Sequence, residues 1–193
     1  MWRKNRRCDQ PRSQCSGSCT GIDLNRNFEG NFCSDILSSP EPCFETYCGE
    51  EPFSEKETKA MKKIITRHRK NLFAYFSIHS FSSLWMTPYG KKDSLPSDFY
   101  ELKRVAQIGA KAIKKVDGTV YRVGNIAEMI YKATGASVDY AYDQGRAKYA
   151  YAIELREGKK QKTGFILLEE EIIPMCKETA AGLIASILAM KRD

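Results

Sequence analysis

Several stretches of this 193-residue chain hold polar side chains in places that ask for a chemical reason. "LFAYFSIHSF" (72–81) reads as an apolar strand that delivers His79, one of only two histidines, to a sheet edge. A histidine there can serve as a metal ligand, as an acid or base, or as a satisfied core residue. "AYAIELR" (150–156) sets Glu154 inside a second apolar strand. A carboxylate on a central strand is costly unless it is paired or faces a cleft. Side chains alternate along a strand, so Ala152, Glu154 and Arg156 share a face. Two readings stay open: a Glu154–Arg156 ion pair at a sheet rim, or a carboxylate in a cleft. "DLNRNF" (23–28) groups Asn25, Arg26 and Asn27. A guanidinium forks two N–H groups at a carboxylate, so Arg26 is either a carboxylate grip or a structural arginine in a turn. Tyr131, before a Gly-containing turn, either packs or swings over a cleft. His68 lies at a helix C-terminus, where it favours the helix dipole and needs no further role.

These groups are positioned by alternating helices and strands. Residues 5–53 are rich in Ser, Cys, Pro, Gly and Asn and read as loop, with a short strand around Gly21–Leu24. The spacing Ser54…Glu57 predicts a capping box for a helix over 54–69 with an apolar stripe of Ala60, Met61, Ile64 and Ile65. A strand at 72–78, nearly continuous in apolar residues, implies burial on both faces. A helix over about 98–116 buries Leu102, Val105, Ala106, Gly109, Ala112, Ile113 and Val116. A strand at 120–123, a short helix ending near Gly135, and a buried strand at 148–156 follow. A last helix over about 173–191 buries Ala180, Leu183, Ile184, Ile187 and Leu188. This alternation argues for α/β layers in one domain. No run is expected to span a membrane, and "MWRKNRRCDQ" lacks the apolar core of a signal peptide.

The net charge is +7. Much of the excess sits at the start, where Arg3, Lys4, Arg6, Arg7 and Arg12 face Asp9 alone. Such a start suits anionic partners or is simply a solvated basic face. Nucleic acid is disfavoured, because the charge is not interleaved with aromatics and no recognition motif appears. Of seven cysteines, Cys8, Cys15, Cys19, Cys33, Cys43 and Cys48 crowd into the first quarter. The crowding suggests a disulfide-bearing, extracytoplasmic loop region. A zinc cluster is disfavoured, since no Cys-x2-Cys pair occurs and neither histidine is near. Cys176, in the last helix, is expected to be a free, buried thiol.

Seven stretches, in order, carry a resemblance: "WRKNR" (2–6), "GIDLNRNF" (21–28), "SSPEPCFETYCG" (38–49), "SEKETKAM" (54–61), "SIHSFSSLWMTPYG" (77–90), "IYKATGASVDYAYDQG" (130–145) and "ELREGKKQKTGFILLEEEIIP" (154–174). Together they resemble the zinc metallocarboxypeptidases of the pancreatic A/B type. The resemblance implies a mixed, mostly parallel central sheet flanked by helices, incomplete at the N-terminus. It implies an exopeptidase that removes single C-terminal residues with one Zn2+ ion. His79 matches the third zinc ligand. Glu154 matches the general base acting on zinc-bound water. Arg3 matches the oxyanion-stabilising arginine. Asn25 and Arg26 match the pair that grips the substrate's terminal carboxylate, and Tyr131 the mobile tyrosine that closes over it. Val138 stands at the pocket-floor position that is acidic in Lys/Arg-preferring members. Met86, Gly90, Ile126, Ile130, Ala133 and Ala152 match the rest of the wall. All are apolar or small, which implies preference for hydrophobic or aromatic C-terminal residues. The resemblance further implies disulfides Cys19–Cys43 and Cys33–Cys48; Cys8 and Cys15 are left over and would then form a pair private to this chain. It also implies cis peptides at Ser80–Phe81, Pro88–Tyr89 and Arg156–Glu157.

One part of the pattern is absent. The family's first two zinc ligands come from a His-x-x-Glu motif upstream of "WRK", and no such motif occurs: His68 is followed three on by Asn71 and His79 by Ser82. Residues 1–193 are therefore expected to be a single partial catalytic domain, without its N-terminal portion and propeptide, of a secreted parent that acts as a monomer on peptide and protein C-termini. No nucleic acid or membrane partner is implied. Alone, the chain is expected to expose apolar surface and a raw strand edge, to bind zinc weakly and to show little peptidase activity. The alternative is a non-catalytic binder of peptide C-termini. Glu154 and Arg3 argue against it, since a pure binder needs neither base nor oxyanion clamp.

Overall fold

The computed structural model describes residues 1–8, 17–34, 38–91, 95–162 and 164–191. Four strands form one sheet: β1 (Ala74–Ser80), β2 (Leu84–Thr87), β3 (Arg122–Asn125) and β4 (Tyr149–Leu155). Their order is β1-β4-β2-β3. β1 runs parallel to β4 and β2 parallel to β3, while β2 and β4 are antiparallel. Five α-helices surround the sheet: α1 (Lys56–His68), α2 (Phe99–Asp117), α3 (Ile126–Met129), α4 (Ser137–Asp143) and α5 (Glu169–Ala189). The α/β class and the mixed sheet are as expected.

Strand alternation splits the interior into two chemistries. Tyr149, Tyr151 and Ile153 of β4 join Trp85 and the α2 residues Leu102, Val105 and Ala106 in one core cluster. Ala150 and Ala152 point the other way, into a cluster with Leu84, Met86, Ile126, Ala136 and Val138. Phe76 of β1 stacks on Tyr151, so Tyr75, Ser77 and His79 take the second face.

Several expectations fail for identifiable reasons. β1 is an edge strand and only half-buried, with Ile78 exposed, so its apolar run does not reflect burial on both faces here. The capping box is not made. α1 starts at Lys56, and the Ser54 hydroxyl instead donates to Glu55 and accepts from the Asn27 amide. The short strand expected at Gly21–Leu24 is replaced by a 3-10 turn at Leu24–Arg26, capped by Asp23, whose side chain accepts from the Asn25 N–H. The helix expected to reach Gly135 stops at Met129, leaving Tyr131 in a loop. In α2, Val116 is exposed in the last turn. The Arg156–Glu157 peptide is not cis, whereas Ser80–Phe81 and Pro88–Tyr89 are.

α5 departs most. It buries Glu171, Glu178, Thr179, Gly182 and Ser186, while Ile184, Ile187 and Leu188 face outward and Ala180 is exposed. Two things turn it this way. At the crossing with α2, a Cβ on Gly182 would lie 2.7 Å from Ile113, and one on Gly109 would lie 2.5 Å from the Trp85 ring, so small residues make the contact. Arg156, from the end of β4, also pulls Glu171 and Glu178 inward at 2.8 Å each. Cys176 is exposed for the same reason, against its expected burial. Against the expectation that no run could span a membrane, α5 is long and apolar enough to do so by length and composition alone, although Lys177 and Glu178 interrupt its apolar run in the sequence.

The loop region is tied by the Cys19–Cys43 and Cys33–Cys48 disulfides. Cys15, and with it the expected Cys8–Cys15 pairing, lies outside the described residues.

Candidate active site

At the C-terminal ends of β1 and β4, His79 and Glu154 are register partners on the same sheet face. Arg3, Asn25, Arg26, Tyr131, Met86, Ile126, Ile130, Ala133, Val138 and Ala152 line the same cleft. Positions spread from Arg3 to Glu154 thus converge. Gly90 stands behind this wall. Its carbonyl accepts from the Ala133 N–H at 2.8 Å, and a Cβ there would lie 3.1 Å from Ile126.

Arg26 is held by its own turn. It is 3% exposed, donates to the Asn25 carbonyl at 2.8 Å, and donates to the Tyr131 hydroxyl at 3.2 Å. The Asn25 carboxamide oxygen accepts from Ser137 N–H, the first residue of α4. Gly135 makes that docking possible. It adopts φ +68°, and a Cβ would sit 2.0 Å from the Arg26 carbonyl oxygen. Arg3 is steered by Asp23, which accepts from its Nε at 2.8 Å, and Asp23 also braces the Asn25 turn. A positive wall therefore faces the apolar one.

Glu154 responds to this setting. Its Oε2 is buried without a hydrogen-bond partner, and Arg156 is engaged with Glu171 and Glu178 instead. The structure thus decides between the two readings of the sequence, in favour of a carboxylate in a cleft. Burial pushes its pKa up to about 7, opposed by the charge of Arg3. Burial also lowers His79, helped by Arg3 and Arg26 and opposed by Asp23, a shift toward the neutral imidazole. Its Nε2 lies 2.7 Å from the Ser77 hydroxyl, which is 3.4 Å from that of Ser137.

Three contributors escaped the sequence reading. Ser80 and Ala136 line the cleft, and Asp139 lies buried beneath it. Asp139 accepts from the Gly90 N–H at 3.1 Å and the Lys91 N–H at 3.0 Å. The only available signal was its place beside Val138 in "SVDY".

A zinc carboxypeptidase family model matches residues 1–182. The chain belongs to the zinc carboxypeptidase family. It is 44% identical to carboxypeptidase B of Bos taurus over 183 residues, covering 95% of this chain and 42% of that protein. It is 45% identical to carboxypeptidase A2 of Rattus norvegicus, covering 100% of this chain and 44% of that protein. Among solved structures, it is similar to carboxypeptidase A of Helicoverpa armigera (TM-score 0.88, 34% identity, 97% of this chain and 46% of that one). It is likewise similar to bovine thrombin-activatable fibrinolysis inhibitor, solved in complex with tick carboxypeptidase inhibitor (TM-score 0.86, 39% identity, 97% and 60%). The chain thus spans less than half the length of these two curated relatives.

The family implies Zn2+. A catalytic zinc takes three protein ligands and an open position. Among the described residues no group of three His, Cys, Asp or Glu converges. The cleft offers one imidazole, with one ring nitrogen already engaged by Ser77. The described residues do not by themselves fit the ion.

Proposed function

We propose that this chain is the substrate-anchoring and proton-handling part of a C-terminal exopeptidase, a partial catalytic domain whose zinc site needs donors from further polypeptide. One observation carries the reading: buried Arg26, under the Tyr131 hydroxyl, shares a cleft with Glu154, whose Oε2 has no hydrogen-bond partner, and with apolar residues that include Val138.

Each group then has a task that follows from its surroundings. Arg26, with Asn25 beside it, binds the terminal carboxylate of a peptide; Tyr131, half-exposed on its loop, closes over the last residue. Met86, Ile126, Ala133, Val138 and Ala152 receive that residue's side chain. They favour a hydrophobic or aromatic one, because a buried substrate cation would find no partner there. Glu154, titrating near neutrality, takes a proton from the attacking water and passes it to the leaving amine. Arg3 faces the negative charge that develops on the scissile carbonyl. In a complete site His79 would supply one metal donor, the others coming from further polypeptide. The parent acts on peptide and protein C-termini as a monomer. The two disulfides support an extracellular setting.

The test is to supply zinc to the purified 193-residue chain and follow release of phenylalanine from a peptide ending in it. Weak zinc retention and no measurable turnover are expected. Tight zinc binding with efficient turnover contradicts the partial-site reading. A longer parent carrying His-x-x-Glu is expected to turn the same peptide over.

A further inference from the structure

α1 carries a charge pattern that the cleft does not use. Its buried side is Thr58 and Ile65, with Met61 packed beside Phe28 and Phe53. At about 100° per residue, Lys56, Lys59, Lys63 and Arg67 fall within an arc of about 80° on the opposite side. All four are exposed. They form a straight cationic row about 16 Å long, at about 1.5 Å rise per residue. Among the described residues, none of the four takes part in a salt bridge.

The row opens at one end into a concavity of about 530 Å³ lined by Arg6, Arg7, Lys56 and Lys59, with Glu55 and Glu57 as its acids. Glu55 is neutralised there: it accepts from Arg7 Nη1 at 2.6 Å and from the Asn5 amide at 2.7 Å. Arg6 is fixed over the Trp2 ring, 3.8 Å from its centroid. The N-terminal arm thus extends the row with a cation held in place.

We propose that this row is a docking surface for a linear sulfated polysaccharide. A straight array of unpaired cations complements a chain of evenly repeated anions, and affinity comes from many weak pairs. The disulfide-tied loops put the protein in an oxidising compartment, where such chains occur. Single-stranded nucleic acid fits less well, because the four α1 positions carry no ring for base stacking and the Trp2 ring at the end of the extended row is already covered by Arg6. Anionic phospholipid is a cytoplasmic-leaflet partner.

The full chain is titrated with a heparin dodecasaccharide, a single-stranded oligonucleotide and phosphatidylserine vesicles. The variants are Lys59→Glu/Lys63→Glu/Arg67→Glu and, as a charge-matched control on α2, Lys111→Glu/Lys114→Glu/Lys115→Glu. Heparin is expected to bind the wild type. The α1 triple should lose about tenfold or more in affinity and the α2 triple less than about threefold, since each exposed pair contributes only modestly and the loss comes from several together. Equal losses in both triples, absence of heparin binding, or oligonucleotide or vesicle binding as tight and dependent on the same residues would each overturn the proposal. If the charge reversals unfold α1, the Gln versions of the same residues decide it by the same comparison.

Discussion

His79 and Glu154 sit side by side on adjacent parallel strands, β1 and β4, on the sheet face opposite the α2–α5 core. That register makes the cleft a property of the sheet, because a one-residue slip would turn either side chain into the opposite core. Loops then bring Arg3, Arg26 and Tyr131 to the same place.

The Arg26 turn rests on Gly135. Changing Gly135 to Ala should put a methyl group into the Arg26 carbonyl and force strain at a positive φ. We expect a stability loss of about 2 kcal/mol or more and weakened binding of peptide carboxylates. Chemical denaturation and peptide titration on the same variant check both.

Val138 is 2% exposed, so a carboxylate placed there is buried without a partner. Val138→Asp should destabilise the empty protein by about 2–4 kcal/mol and shift its preference from peptides ending in Phe toward those ending in Lys by about tenfold or more. Paired titrations of the two peptides measure the shift. No gain on the lysine peptide would remove Val138 from the pocket floor.

Asp139 supports the Gly90–Lys91 segment behind that pocket. Burial raises its pKa from 3.8 to about 6, against the backbone N–H groups it accepts from. The folded state therefore holds a proton that the unfolded chain releases first. Its contribution is full below about pH 4 and is lost as pH rises through about 6. Asp139→Asn should remove that part of the pH dependence. Denaturation midpoints of both proteins between pH 3.5 and 7 (about the span of the two pKa values) should diverge across this window.

Arg156 joins β4 to α5 through Glu171 and Glu178. Replacing it with Met leaves Glu178 buried without a cation and with only the Thr119 hydroxyl donating to it, at a cost of about 3–5 kcal/mol. Glu171 is held at about 2, first by the Lys160 N–H and then by Arg156 and the Lys159 N–H. The stability it contributes is present above about 4.5 and lost as pH falls toward 2. Glu171→Gln should be the weaker protein at pH 6, with the gap to wild type closing on acidification (the expected direction for a depressed carboxylate).

The sequence was most readable where one local pattern decided the outcome. β4, α2 and the convergence at Glu154 follow from apolar periodicity and the ordered motifs. α5 was misread because its large apolar residues set the expected stripe, whereas its buried side is made of small and acidic ones. The contact is instead chosen by Gly182 meeting Gly109 and by Arg156 drawing two glutamates inward, and neither is local in sequence. β1 was misread because an apolar run records what a strand can bury, while its place at the sheet edge depends on pairing. Asp139 escaped because its task, accepting from the Gly90 and Lys91 N–H groups, exists only in the folded chain.

The claim most in need of a direct measurement is that Arg26 anchors a C-terminal carboxylate in an apolar cleft. Calorimetric titration of the chain with an N-acetylated peptide ending in Phe, and with the same peptide as its C-terminal amide, isolates that carboxylate. The free acid should bind about tenfold or more tightly than the amide, and Arg26→Ala should abolish the difference. Equal binding of acid and amide by the wild type would contradict the account.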